Sequence, residues 1–158
     1  MQPQIQLNPS EWADSSLADE MTSLAGVILF DGSCKFCRRV IKILLAVNDG
    51  APLGLCSVRS DRGRALASEL GRRPEDTFAF ITAGRTYLDV SAYEAILTLT
   101  RQSRPLAWLI TKVPTAVSGG VYRWVASHRT FLSALLAPGA PVPLDKKWFI
   151  AGGEGSSG

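Results

Sequence analysis

Apolar and polar positions follow two different periods along this chain, and the places where the period switches mark its elements. Gly26 to Phe30, GVILF, is an unbroken apolar run closed by Asp31 and Gly32, the pattern of a short strand covered on both faces. The period then becomes helical. Cys37, Val40, Ile41 and Leu44 recur on one face, while Lys35, Arg38, Arg39 and Lys42 fall elsewhere. Ser33 is placed to cap this helix, and Asn48, Asp49 and Gly50 supply its stop. Pro52 to Val58 is a second apolar strand, followed by a helix over RGRALASELG that Ser60 or Asp61 caps and Gly71 ends.

Phe78 and Phe80 alternate with smaller residues, Ala83, Gly84 and Arg85 form a turn, and Thr86 to Val90 returns, so a β-hairpin is predicted. Ser91 and Glu94 stand in capping-box spacing and open a helix with Tyr93, Ile96, Leu97 and Thr100 on one side. The order reached is βαβαββα. Beyond Arg104 the pattern stays helical but is broken by Pro105, Pro114, Gly119 and Gly120, leaving segments near Leu106 to Val113 and Val121 to Leu136 that are expected to cover the flank of the sheet. Residues 1–25 read as an arm with a short helix around Pro9 to Met21, residues 26–137 as the domain proper, and residues 138–158, rich in Pro and Gly, as a flexible tail.

Composition narrows the class. A chain of 158 residues with 46% hydrophobic content is enough for one core, and no run of eighteen apolar residues marks an integral membrane segment. The first residues lack the basic-then-apolar order of a secretory signal, so the cytoplasm is the expected compartment. The net charge is +3; the arm holds Glu11, Asp14, Asp19 and Glu20 with no Lys or Arg, which leaves the rest at +7. Those cations are scattered over helix faces and loops instead of forming one run, and no nucleic-acid motif is present, so nucleic acid is not an expected partner.

Three cysteines are too few for a disulfide-stapled fold, and a C-x-x-C pair in a reducing compartment points to redox chemistry or metal. Cys34 falls at the first turn of the predicted helix, where unpaired backbone N–H groups and the positive end of the helix dipole favour thiolate, and Lys35, Arg38 and Arg39 push the same way. Cys34 is therefore the expected nucleophile. Cys37, one turn later and toward the core face, is the expected resolving thiol. Two other readings stand beside this one: inert buried thiols, or a zinc site completed by Cys56 and His128, which lie 19 and 91 residues beyond Cys37 and so lack the compact pairing of most structural zinc sites. Cys56, inside an apolar strand, reads as a small core residue. His128 shares a face with Val121, Val125 and Leu132 and reads as a satisfied, partly buried imidazole. Asp31 has two open roles: bonding the N–H groups of the turn, or moving the proton of Cys37.

At FDGSCKFC the sequence resembles the DCC family of thiol-disulfide oxidoreductases, whose signature is D-G-x-C-x-x-C; Asp31, Gly32, Cys34 and Cys37 match it. The likeness runs from about Val27 to Leu136. DTFAFITAGRTYLDVSAYEAILTL is similar to the family's hairpin and helix start, and VPTAVSGGVYRWVASHR to its closing helix, with Tyr122, Ala126 and Arg129 matching and His128 standing where Asn is usual. The resemblance implies a thioredoxin-like fold, with a mixed four-stranded sheet inside an arm and extra C-terminal helices. The candidate catalytic residues are Cys34, Cys37 and Asp31, which match the signature, with Gly32, Ser33, Lys35, Phe36, Thr77, Tyr122 and Arg129 as supporting residues. Thr77 stands before the third strand, where thioredoxins carry a cis-proline, and Pro74 lies three residues earlier.

The reading is a thiol-disulfide oxidoreductase acting on a disulfide-containing protein or small-thiol substrate without cofactor or metal. The alternative is a non-catalytic thioredoxin-fold binding module, with or without a stabilising zinc. Fold alone does not name the substrate.

Overall fold

The computed structural model describes residues 19–20, 22–48, 50–73, 77–99, 120, 124, 128 and 143–154. Their order is β1 (Gly26–Phe30), α1 (Lys35–Ala46), β2 (Leu53–Ser57), α2 (Asp61–Glu69), β3 (Ala79–Ile81), β4 (Thr86–Leu88) and α3 (Asp89–Leu99), with a 3₁₀ turn at Lys146–Trp148. The βαβαββα core is thus present as the apolar pattern predicts.

The sheet is mixed, in the order β2-β1-β3-β4. β1 runs parallel to β2, Gly26 opposite Leu53 through Phe30 opposite Ser57, and antiparallel to β3, which pairs antiparallel with β4. Every residue of β1 and β2 is buried, because helices cover both faces and leave no side open to solvent. Val27 and Leu29 face Cys56, Leu66 and Ala67 on the α2 side. Ile28 and Phe30 face Ile41 and Leu44 of α1 and Ala92 and Ile96 of α3 on the other. Each large side chain buried here contributes about 1.5–3 kcal/mol. This is the α/β, thioredoxin-like arrangement, and it sets the C-terminal ends of β1 and β2 side by side.

The hairpin returns for a shorter distance than predicted. β4 stops at Leu88 because Asp89 takes a left-handed backbone, φ 52°, and turns the chain into α3 two residues before Ser91. The Asp89 carboxylate is held by Arg72 at 2.8 Å. Ser91 is therefore not the N-cap but the third residue of α3: its hydroxyl donates to Leu88 O at 2.6 Å and accepts from Leu88 N at 3.1 Å, tying the helix to the strand it has just left.

The tail also departs from expectation. Residues 143–154 lie along the edge of the sheet, with Ile150 buried, Phe149 bridged in parallel to Leu55, and Phe149 packed 6.3 Å from Phe30 between ring centres. Ile150 N donates to Leu55 O and Ser57 N donates to Gly153 O. Three large apolar residues, Trp148 to Ile150, outweigh the Gly and Pro around them, and the strap covers an edge strand whose backbone groups would otherwise be open to pairing. Its far end is clasped to the arm, since Arg62 donates both to Glu20 at 3.1 Å and to Ala151 O at 2.6 Å. The expected helix around Pro9 to Met21 and the segments Leu106 to Val113 and Val121 to Leu136 lie outside the described residues, apart from Asp19, Glu20, Trp124 and His128.

Candidate functional site

β1 delivers the chain to a turn organised by its first polar residue. Asp31 Oδ1 accepts from Ser33 N at 3.0 Å and from the Ser33 hydroxyl at 2.7 Å, and Cys34 N donates to Asp31 O at 3.2 Å. These bonds fold residues 31–34 into an Asx-type turn, the structural one of the two roles considered for Asp31. Gly32 is required by close approach: a Cβ there would run into the Ser57 hydroxyl at the end of β2. Its carbonyl accepts from Arg38 Nη1 at 3.1 Å, so α1 reaches back to hold the turn in place.

With its hydroxyl committed to Asp31, Ser33 does not cap α1. Cys34 does. Its backbone is extended, φ −76° and ψ 110°, and its Sγ accepts from Cys37 N at 3.2 Å. The sulfur of one motif cysteine is thus bonded to the backbone of the other, at a helix N-terminus whose orphan N–H groups and dipole both favour negative charge. Such a bond strengthens when the acceptor is ionised. Cys34 and Cys37 are both part-exposed, and Cys37 packs against the core cluster with Val40, Ile41 and Leu44. Lys35 and Phe36, in the same first turn, are part-buried.

The third thiol is in a different situation. Cys56, 0% exposed in β2, is pushed up to about 11 by burial, with the Ser60 hydroxyl 3.9 Å away acting in the opposite sense. At neutral pH it is a neutral core side chain.

Arg59 joins this cluster although no motif in the sequence singles it out. Val58 N donates to Phe30 O at 2.9 Å, which carries the β1–β2 ladder one residue past the end of β2 and brings Arg59 beside Asp31. Arg59 Nε is 3.2 Å from Asp31 Oδ1, with side chains 48% and 9% exposed. Arg59 N in turn donates to Ser57 Oγ at 3.1 Å, so the same hydroxyl that abuts Gly32 fixes the backbone of its neighbour's cation. The signal was available in principle: ends of parallel neighbours align, so a charge just after β2 lies near a charge just after β1.

Other expected residues sit apart or beyond description. Thr77 is buried, and its hydroxyl donates to Arg73 O at 2.6 Å. Tyr122 and Arg129 lie outside the described residues. His128 is exposed, not partly buried: its Nδ1–H donates to Trp124 O at 2.8 Å, and its ring stacks on Trp124 at 4.8 Å, so it is satisfied by the preceding turn of its own segment. Among the described residues no group of three or more His, Cys, Asp or Glu is assembled that could hold a metal ion, so Cys56 and His128 do not complete a site with the pair. Among the same residues no helix is long and apolar enough to cross a membrane.

A family model described as DCC1-like thiol-disulfide oxidoreductase matches residues 28–135, which takes in the turn, both cysteines of the motif and Arg59 and leaves out the strap. Among curated proteins, the chain is similar to the uncharacterized protein YuxK of Bacillus subtilis (strain 168), with 28% identity over 105 residues, 65% of this chain and 77% of the relative. No solved structure gives a significant match.

Proposed function

The chain belongs to the DCC1-like thiol-disulfide oxidoreductase family, and on that premise we propose that it exchanges thiols and disulfides through Cys34 and Cys37. Cys34 thiolate attacks one sulfur of a substrate disulfide. That S–S bond breaks, one substrate sulfur leaves as thiolate and takes a proton from water, and Cys34 is held in a mixed disulfide. Cys37 then gives up its proton to water, attacks the Cys34 sulfur and expels the second substrate sulfur as thiolate, which takes up a proton from water. Two electrons have passed to the substrate, and the pair is a disulfide that an external thiol reductant returns to the dithiol. Run backward, the same couple oxidises a dithiol. The substrates are protein or small-molecule disulfides, the setting is the cytoplasm, and Asp31 serves by shaping the turn that presents both sulfurs.

One observation carries this reading: the Cys34 sulfur occupies the N-cap of α1 and accepts the Cys37 N–H at 3.2 Å. A nucleophile needs its charge stabilised before it meets substrate, and this position supplies a donor and a dipole end without another catalytic group. Trapping tests it. The Cys37→Ser variant, unable to resolve, accumulates a mixed disulfide with an oxidised protein substrate such as insulin, and Cys34→Ser accumulates none. Reversed behaviour would exchange the two roles, and trapping by neither would favour the binding-module alternative.

A further inference from the structure

The motif contains an electrostatic contradiction. Asp31 organises the turn with a buried carboxylate three residues before the sulfur that has to carry negative charge, within a turn whose backbone is closed by Cys34 N on Asp31 O, and a carboxylate near a thiolate opposes its formation. The charged groups on the segments around Cys34, residues 31–42 and 57–60, are Lys35, Arg38, Arg39, Lys42 and Arg59 against one carboxylate, Asp31. Lys35 and Arg38 ride on α1 with the cysteines, and Arg38 Nη1 is directed to Gly32 O. Thr77, ahead of β3, is uncharged and engaged with Arg73 O. A cation in contact with the Asp31 carboxylate comes from β2's side of the sheet: Arg59, through Nε.

We propose that Arg59 is a positioning residue for the reactive sulfur: by holding Asp31 in an ion pair it removes from the surroundings of Cys34 a negative charge that would oppose the thiolate. The inference rests on Cys34 being the nucleophile. Asp31 supplies the geometry of the turn and Arg59 cancels its charge. Two features make the pairing durable. The carboxylate is almost wholly shielded, so solvent screens it weakly, and Arg59 N is anchored on Ser57 Oγ, so the cation is held by backbone as well as by its partner.

The test is the rate of iodoacetamide alkylation against pH, mapped to individual cysteines by mass spectrometry, in wild type, Arg59→Gln, Arg59→Lys, Asp31→Asn and the double variant Asp31→Asn/Arg59→Gln. Arg59→Gln is expected to move the alkylation midpoint of Cys34 upward by roughly one pH unit, with a drop of about tenfold in thiolate below the midpoint. Arg59→Lys keeps the charge and most of the wild-type profile. The double variant returns to the wild-type midpoint, because the charge that Arg59 offsets is gone, which a purely structural role for Arg59 does not predict. Should Arg59→Gln fail to fold, the comparison of Asp31→Asn with the double variant decides, since Asp31→Asn leaves Arg59 uncompensated and moves the Cys34 midpoint downward, and removing Arg59 from that background moves it back up. An unchanged midpoint in Arg59→Gln, a double variant as slow as Arg59→Gln, or an unmoved Asp31→Asn would overturn the proposal. If instead Cys34 of the wild type is not the first thiol alkylated, the reading beneath it fails, and that outcome is seen before any variant is compared.

Discussion

At the start of α1 the Cys34 sulfur accepts the Cys37 N–H at 3.2 Å, and at the start of α2 the Ser60 oxygen accepts the Gly63 N–H at 3.0 Å. The two junctions lie side by side at the ends of parallel strands, and each caps its helix through the residue three before the donor. They differ in the atom and its access. The Ser60 hydroxyl is buried, donates to Ser57 O at 2.7 Å and does not ionise near neutral pH. The Cys34 sulfur is part-exposed and belongs to a group that does. A helix cap is thus a structural device or a reactive one according to whether its acceptor can carry charge and meet solvent. Cys56 makes the complementary point within 3.9 Å of Ser60: a thiol without exposure and without a helix N-terminus is pushed away from the thiolate.

The sharpest way to break this comparison is to make the first junction like the second. Cys34→Ser keeps an oxygen acceptor for the Cys37 N–H, so stability should change by no more than about 0.5 kcal/mol while disulfide reduction falls to background. Thermal unfolding and insulin turbidity measure the two. A variant that unfolds would mean that the sulfur is needed for structure.

A smaller effect is expected from Cys56. Its folded value is raised from 9.0 to about 11, so below pH 9 the thiol is neutral in folded and unfolded chains alike, and between 9 and 11 the unfolded chain releases a proton that the folded one retains. The stability Cys56 contributes is therefore complete below pH 9 and declines as pH rises to 11, by up to about 3 kcal/mol. Urea unfolding of wild type against Cys56→Ala across this range should show the steeper decline in wild type. Parallel curves would contradict the burial account. Smallest is Ser60→Ala, expected to cost about 1 kcal/mol by urea unfolding and to leave the alkylation rate of Cys34 unchanged, because that cap holds structure alone.

Much of the core was legible because its signals are local and agree. The unbroken run of Gly26 to Phe30 and the helical period through Leu44 gave β1 and the buried face of α1, and Ser60 capped α2 as its residue type suggests. The site was legible to the level of the motif and less so at the level of single atoms. Ser33 is a better capping residue than cysteine by type, yet Asp31 engages its hydroxyl first, and the cap passes to Cys34. The end of β4 was hidden because a positive φ at Asp89 is rare for a residue other than Gly and is maintained here with Arg72 paired to its carboxylate, a contact across 17 positions. Arg59 was hidden for the same reason: it meets Asp31 across 28 positions, through the register of a parallel pair. The strap was hidden by averaging, since Gly and Pro dominate residues 138–158 while Trp148, Phe149 and Ile150 decide where the segment lies.

The central claim is that the cap of α1 makes Cys34 the reactive thiol. Its most direct test is competitive alkylation of the reduced native protein with limiting iodoacetamide near neutral pH, followed by peptide mapping of all three cysteines. Cys34 should be modified first, Cys37 more slowly and Cys56 last, with the order lost on unfolding in urea. Modification of Cys56 or Cys37 ahead of Cys34 in the folded protein would contradict it.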